Sequence, residues 1–200
     1  LSFPLSAQPS RNTASDELLD LLVFGVDIRI RPAAYPPALR AELEQHQWRF
    51  KAYRSKRTGI AKTGEFGMVY SAYVLYERRL TAVSADPEAP ALALAYVSEL
   101  KPCYEWEGYH DCPEREARFA LNYQAAHPSG PFSAYLPLLA AHRWLCAAEG
   151  YEYEKQPEGA ARSRNEYEQA ISVALESPSL LVRSAAQALK TRGACYGPQR

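Results

Sequence analysis

The sequence predicts an all-α fold, an array of antiparallel helical hairpins. Three observations carry that reading. Apolar residues recur three and four apart over several long runs, the spacing that gathers them on one face of a helix. Prolines fall mostly at the breaks between those runs, where a missing N–H is tolerated. Strict alternation, the mark of a strand, occurs once and briefly.

Size and composition set the frame. A chain of 200 residues can bury a self-sufficient core without metal or many disulfides. With 47% apolar and 23% charged residues it reads as a folded globule, which excludes a disordered or fibrous chain. Its 23 basic and 23 acidic side chains cancel, so no overall field draws it to nucleic acid or an anionic membrane. The best apolar stretch, Leu18–Val26, is too short to be a transmembrane segment and contains Asp20.

Residues 1–14, rich in Ser, Pro and Asn, form a flexible N-terminal segment. Residues 15–200 form a single helical domain, with 101–112 as its one candidate sub-boundary. Ser15 is placed to cap a short helix through Leu21, with Asp16 and Glu17 favourable in its first turn. Val23–Arg31 alternates and is a candidate short edge strand without a visible partner.

Pro36 and Pro37 suit a helix start, and Leu39, Leu43, His46, Phe50 and Tyr53 then follow one face until about Gly59. A second run, Glu65–Val83, stacks Phe66, Val69, Tyr70, Tyr73, Tyr76, Leu80 and Val83, so these two helices are expected to pair as a hairpin. Pro87 and Pro90 break the chain before a helix at Ala91–Leu100. Lys101–Asp111 reads as an acidic, aromatic loop around Gly108.

Pro113 restarts a helix that carries Phe119 and Tyr123 and stops at His127–Pro131. Phe132 to about Tyr153 places Tyr135, Leu138, Leu139, His142, Leu145 and Cys146 on an inner stripe. After a break at 156–159, Ala160–Glu176 and Leu180–Arg192 repeat the helical pattern on either side of Pro178.

The four cysteines, Cys103, Cys112, Cys146 and Cys195, contain no CxxC pair and fit structural disulfides of an oxidising compartment, the alternative being four buried thiols of a cytosolic protein. Three pairings are open, of which Cys103 with Cys112 would clip a short loop. Leu1–Ala7 (LSFPLSA) reads as the tail of a secretory signal. The expected location is therefore periplasmic or secreted.

Over about residues 113–196 the chain resembles tetratricopeptide-type helical-repeat proteins of the cell envelope. Tyr167, Glu168, Gln169, Ala170 and Ile171, followed by Ala174 and Pro178, look like the second helix and terminal proline of such a repeat. Phe119, Tyr123, Pro128 and Ser129, then Phe132, Ala134 and Tyr135, are similar to the helix–turn–helix junctions of periplasmic repeat proteins. The resemblance implies a solenoid-like stack in which the first helices of neighbouring hairpins lie parallel. It thereby implies a Cys146–Cys195 disulfide, since both cysteines would stand at matching heights.

Catalytic signatures such as GxSxG, HExxH and phosphate-binding glycine loops are absent, and neither a metal nor a cofactor is assigned. The densest chemical cluster is Glu105, Glu107, His110, Asp111 and Glu114, whose hard oxygens and imidazole suit acid–base work or a divalent ion. The same residues equally describe a solvated acidic loop before a helix N-terminus. His46 and His142 fall on apolar helical faces, where they are core histidines, a buried pair or, joined by carboxylates such as Glu149, ligands of a metal site. A basic, aromatic segment supplies Trp48, Arg49, Arg54 and Arg57 as candidate binding residues, although cations also suit a helix C-terminus.

The expected function is therefore non-catalytic. A helical array offers a concave surface, and the 14 tyrosines suit partly wet contacts with a peptide or protein partner. That expectation requires some of Tyr70, Tyr73, Tyr135, Tyr151 and Tyr153 to be exposed. The alternative is a metal-dependent or acid–base hydrolase that uses the Glu105–Glu114 loop.

Overall fold

The computed structural model describes residues 13–24, 37–38, 41, 76–77, 79–81, 83–84, 86–100 and 108–196. Among the described residues the chain is mostly helical and contains no strand. In order the helices are α1 (Thr13–Phe24), α2 (Ala89–Glu99), α3 (Asp111–Ala126), α4 (Leu136–Tyr153), α5 (Pro157–Leu175) and α6 (Leu180–Arg192). Further helical residues lie within 76–83, and residues 37, 38 and 41 are helical close to the expected start at Pro36 and Pro37. The all-α class is observed, and no helix among the described residues is long and apolar enough to cross a membrane.

Local chemistry accounts for the boundaries. Prolines occupy the first turn of α2, α4 and α5, where their missing N–H has no intrahelical acceptor. The Ser179 side chain accepts from the Val182 N–H at the start of α6, and Gly193 closes that helix in the left-handed conformation (φ 61). At the end of α4, Lys155 takes the left-handed position itself (φ 60). Gln156 N–H then reaches Tyr151 O and Lys155 N–H reaches Glu152 O, a Schellman closure that reverses the chain into α5.

Several expected boundaries are corrected. Helix α1 begins at Thr13, so Ser15 lies inside the helix rather than capping it, α2 begins at Ala89 rather than Ala91, and α5 begins at Pro157, inside the expected break. Val23 and Phe24 finish α1 rather than opening a strand, because Leu18, Leu19, Leu22 and Val23 are buried together at helical spacing. Asp111 rather than Pro113 begins α3, with Pro113 in its first turn. Residues 131–135 are turns, so α4 begins at Leu136; Phe132 and Tyr135 still enter the core from those turns.

Helix α4 is the axis of the domain. Every residue from Leu136 to Ala148 is buried. It packs against α3 on one side and α5 on another, while α6 lies against α1 and α5. Ala140, Ala141, Ala147 and Ala148 keep its surface narrow enough for such neighbours. Trp144, Leu138 and Leu139 fill the core with Leu18, Leu19 and Leu22 of α1.

A polar network crosses this core. Arg143 of α4 pairs with Glu116 of α3, and the Tyr96 hydroxyl of α2 donates to the same carboxylate at 2.5 Å. Arg143 Nη2 also donates to Val23 O at 2.9 Å, and the Tyr135 hydroxyl donates to Leu22 O at 2.5 Å. These two bonds satisfy carbonyls at the C-terminus of α1, the end whose dipole favours a cation. Burial alone would raise the Glu116 carboxyl; the Arg143 and Arg79 charges and the Tyr96 hydrogen bond outweigh it and hold Glu116 below its usual 4.5.

Helix α1 and the segment after α6 are fastened by covalent and ionic links. Cys146 and Cys195 form a disulfide across 49 residues, with Cα atoms 4.7 Å apart. The pairing agrees with the one the repeat resemblance implied, but Cys195 stands beyond Gly193, outside α6, rather than at matching height on a parallel helix. Arg192 pairs with Asp16 (3.1 Å) and Asp20 (2.9 Å) of α1, and Phe24 stacks on Tyr196.

Two outcomes are expected. Reducing the Cys146–Cys195 link should lower unfolding stability by about 4 kcal/mol, the chain-entropy value for a loop of this length, read by urea titration with and without reductant. Glu116→Gln should remove about 3–5 kcal/mol by stranding the buried Arg143 charge. Because the folded Glu116 pKa is depressed, its contribution is present above about pH 4.5 and disappears as pH falls through the folded value. Acid titration of the wild type should thus steepen below pH 4.5, and that component should vanish in Glu116→Gln.

Candidate functional site

The surface cluster at the α3–α4–α5 end is built on glycines. Gly108, in the left-handed region (φ 95), turns the chain so that Tyr109 and His110 lie on the end of α4. Contact there is close: a Cβ on Gly150 would fall 2.6 Å from the His110 backbone nitrogen. Gly159 plays the same part in the first turn of α5, where a Cβ would come within 2.4 Å of the Tyr151 ring.

Tyr151 is the centre of the cluster. His110 stacks on its ring with centroids 3.8 Å apart, and the Arg162 guanidinium lies over the ring. Its hydroxyl donates to Glu114 Oε2 at 2.6 Å and accepts from Arg162 Nη2 at 2.9 Å. Glu114 also receives Nε and Nη2 of Arg118. Burial would raise the Glu114 carboxyl, but the Tyr151 and Arg118 hydrogen bonds and the Arg118 and Arg162 charges hold it below its usual range. Burial and the bond to Glu114 in turn raise the Tyr151 phenol.

His110 is fixed from the other side by Glu154. Its backbone N–H donates to Glu154 Oε1 at 3.0 Å and its Nδ1 lies 2.6 Å from the same oxygen. A carboxylate only accepts, so Nδ1 carries the proton. The His110 backbone N–H, opposed by slight burial and aided by the ring, lowers the Glu154 carboxyl.

A cleft of about 340 Å³ opens beside Tyr151, lined by Gln156, Pro157, Glu158, Gly159 and Arg162. On the same end of the molecule the Tyr109 and Tyr153 rings meet edge to face at 6.2 Å. Tyr153 is 73% exposed and Tyr109 46% exposed, among the most exposed large apolar side chains described.

The expected site residues are thus distributed unevenly. His110 and Glu114 join the cluster, whereas Asp111 is exposed in the first turn of α3, where its charge suits the helix dipole. Glu105, Glu107 and Cys103 lie outside the described residues, as do His46, Trp48, Arg49, Arg54, Arg57, Tyr70 and Tyr73. Cys112 is buried. Tyr135 and Tyr151 are buried and Tyr153 is exposed. His142 is fully buried, with Nε2 on Cys195 O at 2.9 Å, and Glu149 Oε1 accepts from Cys195 N–H at 2.7 Å.

Sequence reasoning missed Glu154, Arg162 and Tyr109. His110 and Glu154 are 44 residues apart, and no local pattern links them. Glycines inside helical patterns, Gly150 and Gly159, were the available signal, since such glycines mark close approach.

Comparison with protein-family models, with curated proteins and with solved structures finds no match.

Gly159→Ala should push the Tyr151 ring out of place and separate its hydroxyl from Glu114. The expected loss is about 1–3 kcal/mol of stability by overpacking, measured by urea denaturation. It should be accompanied by a fall in the Tyr151 phenol pKa toward 10.0, followed by ultraviolet titration against Tyr151→Phe.

Proposed function

We propose that this protein is a non-catalytic, extracytoplasmic binding domain that holds a peptide or protein partner at the α3–α4–α5 end. The observation that carries the reading is the exposed Tyr109–Tyr153 pair, on the same end of the molecule as the Tyr151–Arg162 cleft. Tyrosine rings give apolar contact area with a polar tip and lose little side-chain freedom, so an exposed pair on the same end as a concave, partly polar surface suits a protein partner. The scaffold is closely packed where the partner would sit, because Gly150 and Gly159 let the loop and α5 lie directly on α4.

Other features support parts of the proposal. The Cys146–Cys195 link fits a periplasmic or secreted location. The sequence of helices α3, α4, α5 and α6, each joined to the next by a short connection, fits an array of hairpins of the tetratricopeptide type. The hydrolase alternative has weaker support: Glu114 is occupied by Tyr151 and two arginines, and Asp111 faces solvent.

A photo-crosslinking side chain at position 153 tests the proposal in envelope extracts of the source cells. One discrete adduct is expected, reduced at least about tenfold by Tyr109→Ala or Arg162→Ala. The same probe at Val173, an exposed position on α5, should give none. No adduct at 153, equal adducts at 153 and 173, or indifference to both substitutions would overturn it.

A further inference from the structure

Among the described tyrosines, two meet at the surface. Tyr76 and Tyr96 stack with centroids 3.8 Å apart, but both are buried, as are Tyr135, Tyr151 and Tyr167. Tyr196 is exposed, and its ring lies on Phe24. Tyr109 and Tyr153 combine exposure with mutual contact, their rings meeting at 6.2 Å with 66° between the planes.

The backbone keeps this pair together. His110 follows Tyr109, Glu154 follows Tyr153, and these two successors are bonded to each other: the His110 backbone N–H and its Nδ1 both reach Glu154 Oε1. Gly150 lets the 108–110 loop settle on the end of α4, where a Cβ would fall 2.6 Å from the His110 nitrogen. The two phenols are therefore neighbours by construction, although their sequence positions are far apart. Their rings project into solvent, so rotation about χ1 and χ2 carries them from an edge-to-face contact to one of edge against edge.

We propose that Tyr109 and Tyr153 form a paired oxidation site, at which hydrogen peroxide, acting through a one-electron oxidant of the peroxidase class, joins the two rings as dityrosine. Each phenol gives up one electron, and its phenolic proton leaves to solvent. The two phenoxyl radicals form a carbon–carbon bond between their Cε atoms, the positions next to the phenolic carbon where the unpaired electron is concentrated. The hydrogen on each bonded Cε then shifts as a proton to the phenolic oxygen and restores the aromatic ring. Two electrons and two protons reduce one peroxide to two waters, so the step balances.

Proximity decides the partner of each radical. Two groups held on neighbouring segments meet at an effective concentration of roughly millimolar, about a thousandfold above that of a second molecule at micromolar protein. The bond therefore forms within one chain and closes the 108–110 loop covalently on α4. Sulfur competes little for the oxidant, because Cys146 and Cys195 are already joined and Cys112 is buried. The reaction goes beyond the binding reading and needs no partner on these rings.

The test treats the full chain, at micromolar concentration, with a haem peroxidase and limiting hydrogen peroxide. The monomer should gain the blue fluorescence of dityrosine and lose two hydrogens in mass. Its digest should contain the peptide bearing Tyr109 joined to the peptide bearing Tyr153. Tyr109→Phe and Tyr153→Phe, which keep the ring contact, should each lower the monomer's fluorescence at least about tenfold. Peptide mapping of the wild type decides the question even where a variant fails to fold. Cross-links that join other tyrosines instead, fluorescence confined to dimers, or undiminished fluorescence in either folded variant would overturn the proposal.

Discussion

The Arg143 guanidinium joins parts of the chain that are far apart in sequence. It pairs with Glu116 on α3, caps Val23 O at the end of α1, and donates to His142, whose other nitrogen reaches Cys195 O. A charge this deeply buried is tolerated only when its N–H groups find partners and its countercharge is close. Each of those partners is therefore held in place by the same requirement. The docking of α1, the register of α3 on α4 and the seat of the C-terminal segment depend on one side chain.

Around that hub, α4 sets the geometry of the surface. Its alanines admit neighbours closely along the middle, and Gly150 admits the 108–110 loop at its end. The loop, the last turn of α4 and the first turn of α5 thus form one packed unit in which Tyr151 is held between His110 and Gly159. What remains outside that unit is the exposed ring pair Tyr109 and Tyr153.

Helix periodicity made the C-terminal half readable. The runs that became α3, α5 and α6 carry one apolar face each, so their patterns are clean. Helix α4 was assigned from a stripe although it is buried nearly all round, and its start was misplaced because Phe132 and Tyr135 are core residues in turns. The first two residues of the expected Val23–Arg31 strand were misread for a related reason: Val23 and Phe24 look alternating beside Gly25 but end α1, while residues 25–31 lie outside the described residues. The site was less legible. His110 and Glu114 stood out as ligand-type residues, yet their chemistry is decided by Tyr151, Glu154 and Arg162, which only the fold brings to them.

The contact between α1 and the C-terminal segment has a kinetic consequence. Arg192 and Asp20 are separated by 172 residues, so their pairing requires closure of nearly the whole chain. Loop-closure entropy makes such contacts late, whereas α3, α4 and α5 are joined by short links and can assemble first. During synthesis the leucines of α1 emerge early and wait, unburied, for α6. The interval most exposed to aggregation is thus the one between assembly of α3, α4 and α5 and the docking of α1 on α6, and burial of α1 is late in folding rather than early.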